Sequence, residues 1–306
     1  MAVPDFQSFM LPLLKRTADG QEHPMADFRA QLAIQMGISE EEQKEKLPSG
    51  TQTRYANRIA WAAIYLERAG CLERTRRGVF RITDRGKVLL SDNPEKLNVK
   101  VLSQFPELRA FQHGKPSGGD GNGGIGPESG GETQTPEEVL DNSFQAIQNS
   151  LANDILDAVK KMSPAAFEEL VVKLLVAMGY GGSIEDAGQA VGKAGDEGID
   201  GIIKEDRLGL DSIYIQAKKW NENVIGRPLV QSFAGSLEGH RARKGVMITT
   251  STFSPDARNY VQKIENKIVL IDGKQLAQLM IEHGVGVTVT KTYALKRLDQ
   301  DFFEGE

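Results

Sequence analysis

The sequence predicts an α/β domain, a mixed sheet flanked by helices, preceded by a winged-helix domain. Three observations carry this reading. From about residue 163 onward, short β-branched runs alternate with helical repeats of apolar residues, the pattern of a sheet with helices packed on it. Residues 1–111 instead place helical patterns ahead of one tight hairpin. Between them, residues 112–135 contain nine glycines and almost no large apolar side chains, too little to bury on folding. At 306 residues the chain is long enough for two cores, so domains are expected at 1–111 and 136–306, with a Gly-rich linker at 112–135.

In the first domain, helical spacing runs from about Pro4 to Thr17 and from Met25 to Met36, followed by a charged stretch, Ser39–Lys46. Ser49-Gly50-Thr51-Gln52 has the form of a capping box. It predicts a helix to about Ala69 with Ile59, Ala62, Ala63 and Leu66 on its apolar side, while Arg54 and Arg58 share another face. Cys71–Thr75 and Val79–Thr83 then make a hairpin around Arg76-Arg77-Gly78, the place of a wing. The formal net charge of −5 argues against a nucleic-acid partner, but its distribution reverses the inference: residues 54–87 hold nine basic against three acidic side chains. Arg54, Arg58, Arg74, Arg76, Arg77 and Arg81 are therefore the candidate DNA-binding set, from a helix in the major groove and a wing beside it. Trp61 and Tyr65 read as core or domain-contact residues rather than base-stacking ones.

The second domain opens with a helical stretch, Pro136–Lys161. Ser163 and Pro164 supply an N-cap and a first helical residue, and Phe167, Leu170, Val171, Leu174, Leu175 and Met178 follow at helical spacing until Gly179 ends the run. Glu168 and Glu169 lie near its start, where the helix dipole suits either carboxylate. Residues 198–205 and 212–219 read as neighbouring strands of a hairpin. In the second, Ile213, Ile215 and Ala217 face one way while Tyr214, Gln216 and Lys218 face the other, which brings Asp200 beside Gln216 and Lys218. An acid and a Gln-x-Lys pair on adjacent strands can hold a divalent metal against a phosphodiester, which is nuclease chemistry. Asp196 and Glu197 fall in a Gly-rich turn and read as structural. Beyond the hairpin, a helix at Gly226–Leu237, a strand at Gly245–Thr250, a helix at Pro255–Lys263, a strand at Ile268–Ile271 and a helix at Gln275–His283 complete the alternation. Ser251 and Ser254 are placed to touch phosphate, although Ser254 fits better as the cap of the next helix.

Phe167-Glu168-Glu169-Leu170, Met178-Gly179-Tyr180, Gly195-Asp196-Glu197-Gly198-Ile199-Asp200-Gly201, Gln216-Ala217-Lys218 and Ile248–Ser254 occur in an order that resembles the Mrr family of modification-dependent (type IV) restriction endonucleases. The resemblance covers 163 to about 290. It implies a restriction-endonuclease-like catalytic domain of the PD-(D/E)xK superfamily, a winged helix ahead of it, and cleavage of methylated double-stranded DNA. By position it implies Asp200 and Gln216 as metal ligands, Lys218 near the attacking water and Glu168 as an auxiliary carboxylate, with Mg²⁺ as the ion and Mn²⁺ as a possible substitute. Gln216 stands where most of the superfamily carries Asp or Glu, and a neutral amide offers the ion less charge. Gln is the Mrr-like variant.

Other chemistries are excluded on composition. Cys71 is the single cysteine, which leaves neither an intramolecular disulfide nor a thiolate zinc cluster, and the four histidines, 23, 113, 240 and 283, are scattered. No basic-plus-apolar leader and no bilayer-length apolar run is present, so the protein is expected in the cytoplasm, away from membranes. Gly119–Gly124 mimics a dinucleotide fingerprint without its strand and helix, and Gly188–Ala194 is too short for a P-loop and lacks its Ser or Thr, so no NTP is expected. One site per chain cuts one strand, so a homodimer or higher homo-oligomer is expected. Two other readings stay open: a DNA-binding regulator with an inactive nuclease fold, and a structure-selective junction nuclease.

Overall fold

The computed structural model describes residues 2–113, 133–181, 198–205, 210–220, 223–296 and 298. Residues up to Ala146 form one compact unit and Ile147–Leu295 a second. The linker expected at 112–135 lies mostly outside the described residues; at its edges Gln112 belongs to a helix and Thr135 precedes one.

The first unit begins with a 3₁₀ turn, Phe6–Phe9, whose cap Asp5 accepts the amides of Gln7 and Ser8. It runs directly into α1 (Met10–Arg16), and Phe6, Phe9, Met10, Leu13 and Leu14 are all buried. Then follow β1 (His23–Pro24), α2 (Met25–Met36), α3 (Glu40–Lys44), α4 (Arg54–Arg68), β2 (Leu72–Arg76), β3 (Val79–Ile82), α5 (Asp84–Ser91), α6 (Val99–Leu102) and α7 (Pro106–His113). The three strands form one antiparallel sheet in the order β1-β3-β2, with β2 and β3 as the wing hairpin. A winged helix is therefore present as predicted. The pattern missed β1, which at two residues is too short to show alternation.

The capping assignment for α4 needs correction. Thr53 caps the helix, its hydroxyl accepting the amide of Ala56, whereas Ser49 lies outside it. Gly50 has φ +70° and its amide bonds to the carbonyl of Leu47, and Lys46 bridges to Thr53, so the chain closes a small turn before the helix can begin. A capping box does exist upstream, between Ser39 and Glu42, and it turns the charged stretch into α3.

The second unit takes in the end of α8 (Pro136–Lys161), followed by α9 (Pro164–Ala177), β4 (Gly201–Lys204), β5 (Ser212–Lys218), α10 (Arg227–Gly239), β6 (Lys244–Thr249), α11 (Pro255–Val261), β7 (Lys267–Ile271) and α12 (Gly273–Glu282). The sheet order is β4-β5-β6-β7, antiparallel in the first pair and parallel in the other two. Period-two alternation sorts its side chains between two cores. Ile213, Ile215, Ala217, Val246, Ile248 and Ile271 meet Phe167, Val171, Leu174 and Leu175 of α9 together with Leu276, Ala277 and Met280 of α12. Met247, Ile268 and Leu270 meet Val230, Phe233 and Leu237 of α10 and Ala257 of α11 on the other face. Burial on both faces explains why β6 reads as a continuous apolar run rather than an alternating one.

Candidate active site

The expected strand 198–205 is reduced to Gly201–Lys204, which leaves Asp200 just ahead of β4. Asp200 is still anchored to the sheet: its amide donates to the carbonyl of Ile215 at 2.9 Å. In return Asp200 Oδ2 accepts the amide of Ala217 at 2.7 Å, and Lys218 Nζ stands 4.0 Å from that oxygen. The carboxylate is thus held at the C-terminal end of β5, on the Ala217 amide and beside Lys218. The parallel neighbour β6 fixes this edge. Thr249 donates its hydroxyl to the carbonyl of Lys218 at 2.8 Å, and Thr250 Oγ1 bonds both the amide and the carbonyl of Trp220 at 3.0 and 2.7 Å. Sequence reading missed this brace, although both threonines stand within the Ile248–Ser254 motif.

Gln216 is only 6% exposed. Its Nε2 donates to the carbonyl of Gly198, which orients the amide, and its Oε1 is buried with no hydrogen-bond partner among the described residues. A buried carbonyl oxygen without a donor is costly and points to a group that would fill it. Gly198 is what permits the arrangement: it has φ +86°, and a Cβ there would come 2.8 Å from Gln216 Nε2. Ser163 caps α9 as expected, its hydroxyl accepting the amide of Ala166, and Glu168 follows on that helix. Burial raises the Glu168 carboxyl above the usual range, and the Asp200 carboxylate adds to the rise while Lys218 opposes it. Glu168, Asp200 and Lys218 therefore feel one another. Glu169 instead points outward and pairs with Lys173 at 2.7 Å. Ser254 caps α11 as expected, and the Ser251 hydroxyl donates to the carbonyl of Asn223. Asp196, Glu197 and Gly188–Ala194 lie outside the described residues.

The residues fit a divalent cation. Among the described residues no three His, Cys, Asp or Glu side chains converge on a point where they could hold a metal ion. A donor set that could suit one has another composition: carboxylate oxygens of Asp200 and Glu168 together with the amide oxygen of Gln216, which lacks a partner among the described residues. Hard oxygen donors, few carboxylates and room for water are the preference of Mg²⁺.

In the first unit the structure changes the standing of the arginines. Arg58 is 11% exposed; it donates to the carbonyls of Val3 and Pro4 and pairs with Glu138 at 2.9 Å. Arg54 lies 3.3 Å from Glu45 and 3.7 Å from Glu138. Glu138 itself is 4% exposed and forms a capping box with Thr135, whose hydroxyl donates to Asn57. The start of α8 thus packs on α4, and the face expected to be open is covered. Arg58 serves the fold, which corrects its expected place on a DNA-facing surface, and Arg54 shares the carboxylate. Arg74 pairs with Glu67 and lies over the Phe80 ring, Arg81 pairs with Glu73, and Arg76, 71% exposed, reaches Glu22 at 3.4 Å. Arg77 lies in the turn between β2 and β3. Tyr65 is buried, and the Trp61 indole donates to Glu137, so both are packing residues as expected.

A mixed sheet whose first hairpin carries an acid, an amide and a lysine at one edge, with a helix supplying a further carboxylate, defines the restriction-endonuclease-like class. Comparison with known proteins narrows it. A family model described as restriction endonuclease, that of the Mrr catalytic domain, matches residues 159–280, and one described as the Mrr N-terminal domain matches 6–92. The type IV methyl-directed restriction enzyme EcoKMrr of Escherichia coli strain K12 is 34% identical over 313 residues, spanning 99% of this chain and all of that protein. The chain belongs to the Mrr family of restriction endonucleases, as its motifs implied. Two solved structures are also similar in part. The MspJI restriction endonuclease in complex with a 27-mer oligonucleotide has TM-score 0.31 and 20% identity, over 48% of this chain and 32% of that one. The DNA modification-dependent restriction endonuclease AspBHI has TM-score 0.37 and 15% identity, over 68% and 52%.

Proposed function

We propose that this protein is a cytoplasmic, modification-dependent endonuclease that hydrolyses phosphodiesters of methylated double-stranded DNA with Mg²⁺. The observation that carries the reading is the cluster at the end of β5: the Asp200 carboxylate on the Ala217 amide beside the Lys218 ammonium, with the buried Gln216 oxygen of the same strand end partnerless among the described residues. Asp200 and Gln216 would hold the ion, with Glu168 as the auxiliary ligand. When bound, the ion supplies positive charge to the phosphate and makes a neighbouring water more acidic. Lys218 orients that water and offsets charge developing on the phosphate oxygens. The raised Glu168 carboxyl belongs to the protein without its ion, since a cation beside two carboxylates favours their ionised forms. We assign recognition to residues 1–111, through the wing arginines Arg76 and Arg77 and their strand neighbours Arg74 and Arg81, and catalysis to 136–306. The full-length likeness to an enzyme named methyl-directed supports dependence on a modified base. A methyl group alters the apolar surface of the major groove, where a winged helix can read it, and also the fit of a base flipped into a pocket.

The test offers one plasmid unmethylated, adenine-methylated and cytosine-methylated, with and without Mg²⁺ at equal salt. Cutting is expected only with Mg²⁺ and favours one methylated form by roughly tenfold to a few hundredfold, the reach of a single methyl contact. Equal cutting of all three removes modification dependence, and no cutting of any removes the nuclease reading.

A further inference from the structure

β5 ends on Lys218, and a second lysine with a different task follows it directly. Lys218 stands beside Asp200. Lys219, one residue on, continues the opposite face of the strand, the face on which Ile215 and Ala217 pack with Val159 of α8 and Phe167 of α9. Its ammonium donates to the carbonyl of Lys160 at 3.1 Å and to that of Met162 at 2.7 Å. Both carbonyls belong to the corner between the two helices: Lys160 lies in the last turn of α8, where carbonyls lack intrahelical partners, and Met162 directly precedes Ser163, the cap of α9. A cation at the C-terminal end of α8 also complements the helix dipole. One side chain thus ties the start of α9 to the strand that carries Gln216 and Lys218. Glu168 lies five residues beyond that cap, so its distance from Asp200 depends on where α9 begins.

We propose that Lys219 is a positioning residue for hydrolysis: by pinning the α8–α9 corner to the end of β5, it holds Glu168 where its carboxylate completes the ion's ligand set. The inference rests on the nuclease reading and adds to it a residue that touches neither ion nor substrate. The helix and the strand meet mainly through apolar contacts, which are non-directional and tolerate sliding, whereas an ammonium shared by two carbonyls fixes distance. A displacement of about 1 Å at a catalytic group is worth roughly a hundredfold in rate, so the pin has a measurable consequence.

The test uses the full-length protein and the methylated plasmid it cuts best, with Lys219→Met, Lys219→Arg, Glu168→Gln and the double variant Lys219→Met/Glu168→Gln. Lys219→Met is expected to lower kcat by about tenfold to a hundredfold with KM for the plasmid unchanged. Lys219→Arg, which can still donate to two carbonyls, recovers most of it. In the Glu168→Gln background Lys219→Met costs no more than about twofold, because the side chain it positions is already disabled. A calorimetric titration with Mn²⁺ alone reads the same cycle without turnover: Lys219→Met and Glu168→Gln each weaken binding, and the double variant is no weaker than Glu168→Gln. Should Lys219→Met fail to fold, Lys219→Gln takes its place in the cycle. Unchanged Mn²⁺ affinity in the Lys219 variant, or an equal loss in both backgrounds, overturns the proposal. If the wild type cuts no plasmid, the nuclease reading fails, and the Mn²⁺ cycle still decides the role of Lys219.

Discussion

Asp200 combines two tasks that usually fall to different residues, since one of its oxygens closes a backbone bond to Ala217 and faces Lys218. Asp200→Asn keeps the shape and removes the charge. It is expected to lower cleavage by at least about a hundredfold while leaving duplex binding intact, as is Lys218→Ala, because charge stabilisation acts in the transition state and affinity comes from distributed phosphate contacts. Gel shift and plasmid cleavage on the same preparations check both, and wild-type rates in either variant exclude the assignment. Gly198→Ala attacks the site through the backbone: the φ of +86° disfavours any side chain, and the added methyl meets the Gln216 amide. Loss of cleavage with weaker Mn²⁺ binding is expected, along with a stability loss of about 1–3 kcal/mol in urea unfolding. Cys71 provides a pH signature. Burial pushes its thiol up to about 11 from 9.0, so the folded state prefers the neutral form. The stability this contributes is complete below pH 9.0 and is lost as pH rises through about 11. The thiol should therefore resist a disulfide reagent at pH 8 until the protein is unfolded, and rapid labelling of native protein would contradict its burial.

Among the elements, α4 and the wing separate two kinds of arginine that composition treats alike. Arg58 and Glu138 form a buried pair, and deleting one partner leaves the other uncompensated. Arg58→Ala is expected to destabilise the first unit by roughly 3–5 kcal/mol. Arg76 is exposed and reaches a surface carboxylate, that of Glu22. Arg76→Ala should leave stability unchanged within about 0.5 kcal/mol and reduce the slope of log affinity against log salt by about 1. Urea unfolding and salt-dependent DNA titration distinguish the two, and a reversed pattern would place recognition on α4. The sequence contained the clue to Arg58 in Thr135-Pro136-Glu137-Glu138, a capping signature at the edge of a Gly-rich stretch. Nothing local, however, says that this helix start covers a helix 80 residues earlier.

For the whole molecule, a single candidate cluster among the described residues of each chain has a kinetic consequence. If two chains cooperate, as one site per chain leads one to expect, plasmid linearisation should rise more steeply than linearly with protein concentration, whereas nicked plasmid accumulates when chains are scarce. Linearisation that is first-order in protein and always passes through a nicked intermediate, however high the protein concentration, would remove the homodimer. Much of the architecture was legible in the chain itself. Strand alternation at 212–219, the capped helix at Ser163, and the acid, amide and lysine of one hairpin follow from periods of two and 3.6 and from local turn chemistry, which act within a few residues. The same locality set the limits of the reading. The bond from Gln216 to Gly198, the threonines that brace β5, the reach of Lys219 to the α8–α9 corner and the covering of Arg58 all join residues far apart in sequence. Thus the sequence by itself determined most of the strands and helices and which side chains were candidates for the site. Tertiary structure alone decided which charges are paired inside the protein and which buried oxygen is left without a partner among the described residues, because burial and partnership depend on surfaces that meet only when the chain is folded.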